Sequence, residues 1–145
     1  MKRIMMLMSA LLVMLASYSG NGNIKYVVAR NYFHNNNAPM PKSLKITSVK
    51  EFDEQFGAAA FMGKDGEATK IDFKKSFVIA KVLPVTDQIT TLRMISLKKT
   101  SSRHLQMKYQ LKQGSEHQSY STQPIMIIVV DKKYQCYHIS ESVER

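Results

Sequence analysis

Apolar and polar positions alternate in three different ways along this chain, and each way predicts a different element. Ile4 to Ala16 is an unbroken apolar run behind the basic pair Lys2 and Arg3, with the small residues Ser17, Ser19 and Gly20 after it. That is the layout of a secretory signal peptide, and the run is too short for a membrane-spanning helix. From Ile24 onward the pattern belongs to strands. "IKYVVARNYF", Ile24 to Phe33, is rich in β-branched and aromatic residues and predicts a first strand. "HNNNAPMPKS" interrupts it with three asparagines and two prolines, and a short strand follows at Leu44 to Thr47.

Helical spacing is found in one place. Ser48-Val49-Lys50-Glu51 has the form of a capping box, in which a serine hydroxyl and a glutamate carboxylate each take up a free backbone N–H. Val49, Phe52 and Phe56 then share a face, and Gly57 predicts the end of the helix. Beyond the connection "GAAAFMGKDGEATK" the pattern is β throughout. A strand is predicted from Phe77 to Val85. "QITTLRMISLKK" and "HLQMKYQLK" alternate, so each should bury one face, and "KTSSR" between them should form a hairpin turn. A second turn is predicted at "QGSEHQ". "IMIIVV", after Pro124, is apolar at every position and should be buried on both faces, and a last strand is predicted from Tyr134 to Ser140.

The order is two strands, a helix, and a five-strand meander. One helix cannot cover both faces of such a sheet, so the expected fold is α+β, mostly β: a small antiparallel β-barrel or sandwich with one short helix near residues 48–57. Residues 1–19 form the expected signal peptide, and residues 20–145 a single β-rich domain. No repeat or second domain is visible.

Composition changes this picture in two respects. Removing Lys2 and Arg3 with the signal lowers the formal charge from +10 to +8, and five of the ten methionines leave with it. The remaining positive charge favours solubility and acidic partners. The lysines are spread over every segment without an aromatic-interleaved basic run, so nucleic acid is not an expected partner; they read as a solvated face that also blunts sheet edges. Cys136, the one cysteine, cannot form an intramolecular disulfide; in "QCYHI" it reads as a small buried strand residue.

The end of the apolar run also bears on localisation. Leu15-Ala16-Ser17 has the form of a lipobox, but Tyr18 stands where the lipid-accepting cysteine would be. The expectation is a periplasmic or secreted chain without a lipid anchor, meeting the membrane only through its cleaved signal.

Chemical motifs are sparse. His34, His104, His117 and His138 are widely spaced, with no H-x-x-x-H or C-x-x-C pair, so no metal is expected. There is no G-x-S-x-G elbow, P-loop or dinucleotide fingerprint, and Asp72 has no convincing second carboxylate. No cofactor is expected, and the chain does not read as an enzyme.

The Leu-Ala-Ser signal end, the helix opening "SVKEF", the segment "IDFKKSFVIAKV" and the antiparallel strands after it resemble small exported β-proteins of Bacteroidetes. The helix followed by "IDF…FVIA" is also similar to the C-terminal domain of the PrcB protease-complex subunit, with "PVTDQITTL" in place of that domain's glycine-tyrosine turn. In size, export signal and β-rich layout the chain resembles the potempins, which, like the staphostatins, are compact β-barrel protease inhibitors. This resemblance implies a protein-binding domain whose partner is a protease, inhibited through an extended surface loop. The candidate loops are Asn36, Asn37, Ala38, Pro39, Met40 and Pro41, where prolines favour extended backbone, and Phe61 and Met62, apolar side chains in a glycine-bounded connection. The alternative is a non-catalytic envelope module binding a glycan, a lipid or another protein, with Tyr109, Tyr120, Tyr134 and Tyr137 as a possible carbohydrate-facing set.

Overall fold

Two largely apolar strands lie side by side at the centre of the protein, flanked in their own sheet by two short strands and covered on each face by a further layer. In this computed structural model residues 22–41 and 43–145 are described, and the signal segment lies outside them. The strands are β1 (Tyr26–Ala29), β2 (Tyr32–His34), β3 (Lys45–Ile46), β4 (Phe56–Ala58), β5 (Ser76–Val82), β6 (Thr86–Ser101), β7 (His104–Thr122), β8 (Ile125–Asp131) and β9 (His138–Glu144). The helix α1 covers Val49–Gln55, and a 3-10 turn covers Lys132–Tyr134.

The pairings give a four-stranded sheet in the order β1-β8-β5-β3, a three-stranded sheet β6-β7-β9, and the small ribbon β2-β4. All pairs are antiparallel except β7 with β9, which is parallel. The sheets do not close, so of the two expected forms the barrel is set aside and a layered sandwich stands. Phe77, Ile79, Met126, Ile128 and Val130 point from β5 and β8 to one side, against Leu97, Leu105, Met107 and Tyr109 of the three-stranded sheet. Val78, Ala80, Val82 and Ile127 point to the other side, against Phe52 of α1 and Phe56 of β4. The unbroken apolar runs of β5 and β8 follow from this: alternation disappears when both faces are dry.

The meander is overturned. Of the sequential pairings it requires among these strands, only β6 with β7 forms; β8 lies beside β5, and β9 beside β7. The register explains why. Val82 faces Ile125, Leu83 N–H donates to Pro124 O at 3.0 Å, and Thr86 then faces Thr122. The chain from Ser76 to Asp131 is thus one long ribbon doubled over, so that its tip half packs on its base half. At the bend, Thr86 to Thr90 faces Thr122 back to Gln113, and β7 carries five residues more than β6. These bulges absorb "QGSEHQ", which bends the ribbon where a chain reversal was expected.

Other local expectations shift for identifiable reasons. The first strand is two strands, because Asn31 takes a left-handed conformation (φ 65°) and passes the chain from the four-stranded sheet to the β2-β4 layer. In α1 the Ser48 hydroxyl accepts from Glu51 N–H at 3.2 Å, as a cap should. Val49, however, is 54% exposed, leaving Phe52 and Phe56 to anchor the element. The helix ends at Gln55 because Phe56 turns extended and enters β4. Gly57 is not its terminator; it lies in β4 opposite Phe33, whose ring occupies the space a Cβ would need. The Asp131 carboxylate caps the 3-10 turn through Lys133 N–H at 2.9 Å, so β9 begins only at His138. Cys136 consequently sits in a turn and is exposed, not buried.

The long edges of the sandwich are tied by the backbone on one side and by lysines on the other. Ile24 N–H donates to Leu97 O and Lys99 N–H to Gly22 O, which fastens the start of the domain to β6. Across from it, Lys45 Nζ donates to the carbonyls of Gln135 and Tyr137, both at 2.6 Å, and Lys81 pairs with Glu141 at 3.1 Å. Such charge-assisted bonds hold β3 against the turn before β9, and β5 against β9 itself, without a continuous ladder.

Tyr109 reports on this closure. Its hydroxyl lies 3.4 Å from Glu141 Oε2. Burial first, and the Glu141 charge second, push its pKa up to about 12 from an ordinary value near 10. The protonated hydroxyl therefore stabilises the fold fully below pH 10, and that contribution is lost as pH rises through about 12. Urea midpoints measured across this range should fall more steeply for the native chain than for Tyr109→Phe. Parallel curves would place the alkaline loss in another group.

Candidate functional site

The junction between β1 and β2 holds the base of the connection that carries Phe61 and Met62. Left-handed Asn31 aims its side chain across the layer, and its Nδ2 donates to the carbonyls of Asp65 and Glu67, both at 2.8 Å. Ala59 N–H donates to Asn31 O at 2.8 Å, so one residue grips both arms of the loop. Its neighbours reinforce the grip. Arg30 N–H donates to Thr69 Oγ1 at 2.9 Å, Thr69 N–H returns a bond to Arg30 O, and Tyr32 Oη donates to Thr69 O. Burial, then the nearby Asp53 charge, raises the Tyr32 pKa, which keeps that phenol a donor.

Within the loop, Phe61 N–H donates to Gly66 O at 2.8 Å and Gly66 N–H to Gly63 O at 3.3 Å. Gly63 (φ 120°) and Asp65 (φ 61°) supply the left-handed steps of the reversal. A Cβ on buried Gly66 would collide with the Phe61 carbonyl. Met62 at the tip is 100% exposed and Phe61 58% exposed. Residues 61–66 thus form a closed, clamped projection with apolar side chains facing solvent.

The other candidate loop is built differently. Asn35 N–H donates to Gln55 O, and its Nδ2 donates to the carbonyls of Asp53 and Glu54, so this residue satisfies the end of α1. Ala38 N–H closes a turn onto Asn35 O at 3.0 Å. Asn36, Asn37, Pro39 and Met40 are exposed, whereas Ala38 and Pro41 are half-buried. Met40 Sδ accepts from Gln123 Nε2 at 3.6 Å. The Gln123 carboxamide also reaches buried His34, whose second ring nitrogen is 3.0 Å from Gln55 Oε1. This loop is therefore tied to the polar packing beneath it. Because β2 and β4 are antiparallel, the two loops leave opposite ends of that ribbon, and the structure does not bring them together.

The tyrosines do not form a common surface. Tyr109 is buried, Tyr134 and Tyr137 pack against the core, and Tyr120 is exposed on the bulged end of β7. Among the described residues no group of three or more His, Cys, Asp or Glu converges as a metal site, and no helix is long and apolar enough to cross a membrane. Asn31, Thr69 and Gly66 carry the loop but escaped the sequence reading. Asn31 could have been marked, since asparagine is the residue that tolerates left-handed backbone between two strand-like runs. Comparisons with family models, curated proteins and solved structures find no match for this chain.

The clamp predicts a separation between tip and base. Met62→Ser should change folding stability by less than about 0.5 kcal/mol, while Gly66→Ala should cost roughly 1–3 kcal/mol and speed proteolytic nicking within 61–66. Equal losses in thermal unfolding would mean that Met62 packs against the domain.

Proposed function

We propose that this chain is an exported protein-binding domain that inhibits a protease by inserting the 61–66 loop into its cleft. The observation that carries the reading is Met62, fully exposed at the tip of a loop held by Asn31 and by its own backbone bonds. Displaying a bare thioether chain to water brings the free protein no stability. It favours association when a partner removes that surface from water. A clamped loop loses little conformational freedom on binding, so its contacts are not offset by ordering. Methionine also adapts to irregular apolar subsites.

Inhibition of this kind requires shape and rigidity and no reactive group. The β-rich layout and the export-type leader of the sequence are features that potempin-type inhibitors have as well. Loop 36–41 is the secondary contact candidate, since Met40 and Pro39 are exposed although its base serves α1.

The test is titration of residues 20–145 against cysteine, serine and metalloproteases. Stoichiometric inhibition is expected for at least one class, weakened about tenfold or more in the double variant Phe61→Ser, Met62→Ser. Absence of inhibition across the panel overturns the reading, and undiminished inhibition by the double variant removes loop 61–66 from it.

A further inference from the structure

On the three-stranded sheet, inward Leu97, Leu105, Met107 and Tyr109 leave the alternate positions facing solvent. The register makes those outward positions unusual. Lys112 lies opposite Thr91, Arg93 opposite Gln110, Lys108 opposite Ser96, and Lys98 opposite Gln106. Each cation thus faces a neutral residue, although a carboxylate opposite would stabilise the pair. The cations also alternate between strands. Passing along the ladder one meets Lys112 on β7, Arg93 on β6, Lys108 on β7 and Lys98 on β6, with one step about every 7 Å.

The row ends at a histidine pair. His104 faces His138 across the parallel β7-β9 ladder, with ring centroids 5.1 Å apart, and His104 Nε2 lies 2.8 Å from Ser140 Oγ. From Lys112 to His104 the row runs about 27 Å. Among the described residues of β9, Glu144 is the outward acid, whereas Glu141 turns inward to Lys81 and Tyr109. Gln106 and Ser142 fill the gaps with hydrogen-bonding groups, while Gln110 Oε1 accepts from Arg93 Nη2 at 3.2 Å and Ser140 is engaged by His104.

We propose that this face binds a linear acidic polysaccharide lying along the strands, with its carboxylates or sulfates on Arg93, Lys98, Lys108 and Lys112. Four cations in a line, none of them in an ion pair among the described residues, repel one another in the free protein, and a polyanion of matching direction relieves all of them at once. Glutamine and serine side chains suit the hydroxyls between the charges. The same face lacks what other polyanions require. Tyr109 is turned inward, Tyr134 and Tyr137 are packed, and exposed Tyr120 lies beyond the bulge at the far end of β7, so no tyrosine stands along this row for stacking unpaired bases. Ile95, at the bulge, is the large apolar side chain exposed on β6 along this row, which is little to insert into a lipid surface. The face is formed by different strands from loop 61–66 and does not rest on the protease reading.

The experiment measures binding of residues 20–145 to dextran sulfate and polygalacturonate at several salt concentrations, with neutral dextran, oligothymidylate and phosphatidylglycerol vesicles as the other arms. One variant carries Arg93→Gln, Lys98→Gln, Lys108→Gln and Lys112→Gln. A second removes the same charge elsewhere through Lys25→Gln, Lys50→Gln, Lys64→Gln and Lys70→Gln. All eight side chains are exposed, and thermal unfolding is measured first to check that both variants fold. The expected result is salt-sensitive binding to an acidic polysaccharide, weakened about tenfold or more by the first variant and within about twofold of native in the second. Equal weakening by both variants would reduce the effect to net charge and overturn the site. Binding to neither polysaccharide, or tighter binding to oligothymidylate or vesicles, overturns it as well.

Discussion

The pairing of β5 with β8 is the interaction on which the rest of the structure depends. Its register runs from Ser76 opposite Asp131 to Val82 opposite Ile125, and the residues between, Lys81 excepted, are apolar on both faces. A sheet of that kind cannot face water on either side, so two further layers must form. The three-stranded sheet covers one face, and α1 with the β2-β4 ribbon covers the other. Since the paired residues of β5 and β8 are 43 to 55 positions apart in sequence, their pairing also forces the intervening chain to double over. The extra residues of β7 at the bend are the local consequence.

The clamped loop follows from the same arrangement. The chain has to leave the four-stranded sheet after β1 and reappear in the covering layer as β2, and Asn31 makes that passage in a left-handed step. The step places a side-chain amide where two loop carbonyls can accept from it. A projection that would otherwise be flexible is thereby tied to the sandwich through the residues that connect its layers. The rigidity of this loop is a product of the layer crossing, with no disulfide involved.

Much of the local structure was legible in the sequence. Ser48 announced the helix, the alternation in β6 and β7 announced one wet face, and "IMIIVV" announced burial on both sides. Partner choice was not legible, because β8 can satisfy its backbone beside β7 or beside β5 and periodicity does not distinguish them. The distinction is made by side chains far away in sequence, such as Phe77 and Ile79. Gly114 misled for a related reason: a glycine in a polar stretch permits a reversal or a bulge, and the distant β5-β8 pairing selects the bulge. Cys136 misled because Asp131 caps a 3-10 turn and delays β9. The two candidate loops were both visible as loops, but the side chains that hold them, Asn31 for one and Asn35 for the other, acquire their roles only in the folded chain.

The organising role of the central pair is open to native-state amide hydrogen exchange. If β5 and β8 form the spine, the amides of Val78 to Lys81 and Ile127 to Val129 should exchange most slowly, with protection equal to the free energy of global unfolding. The amides of β1, α1 and the bend of the ribbon should open at lower cost. The result that would contradict this is maximal protection in the β6-β7 hairpin while β5 and β8 exchange through partial opening. The three-stranded sheet would then be the stable core and the apolar pair its dependent layer.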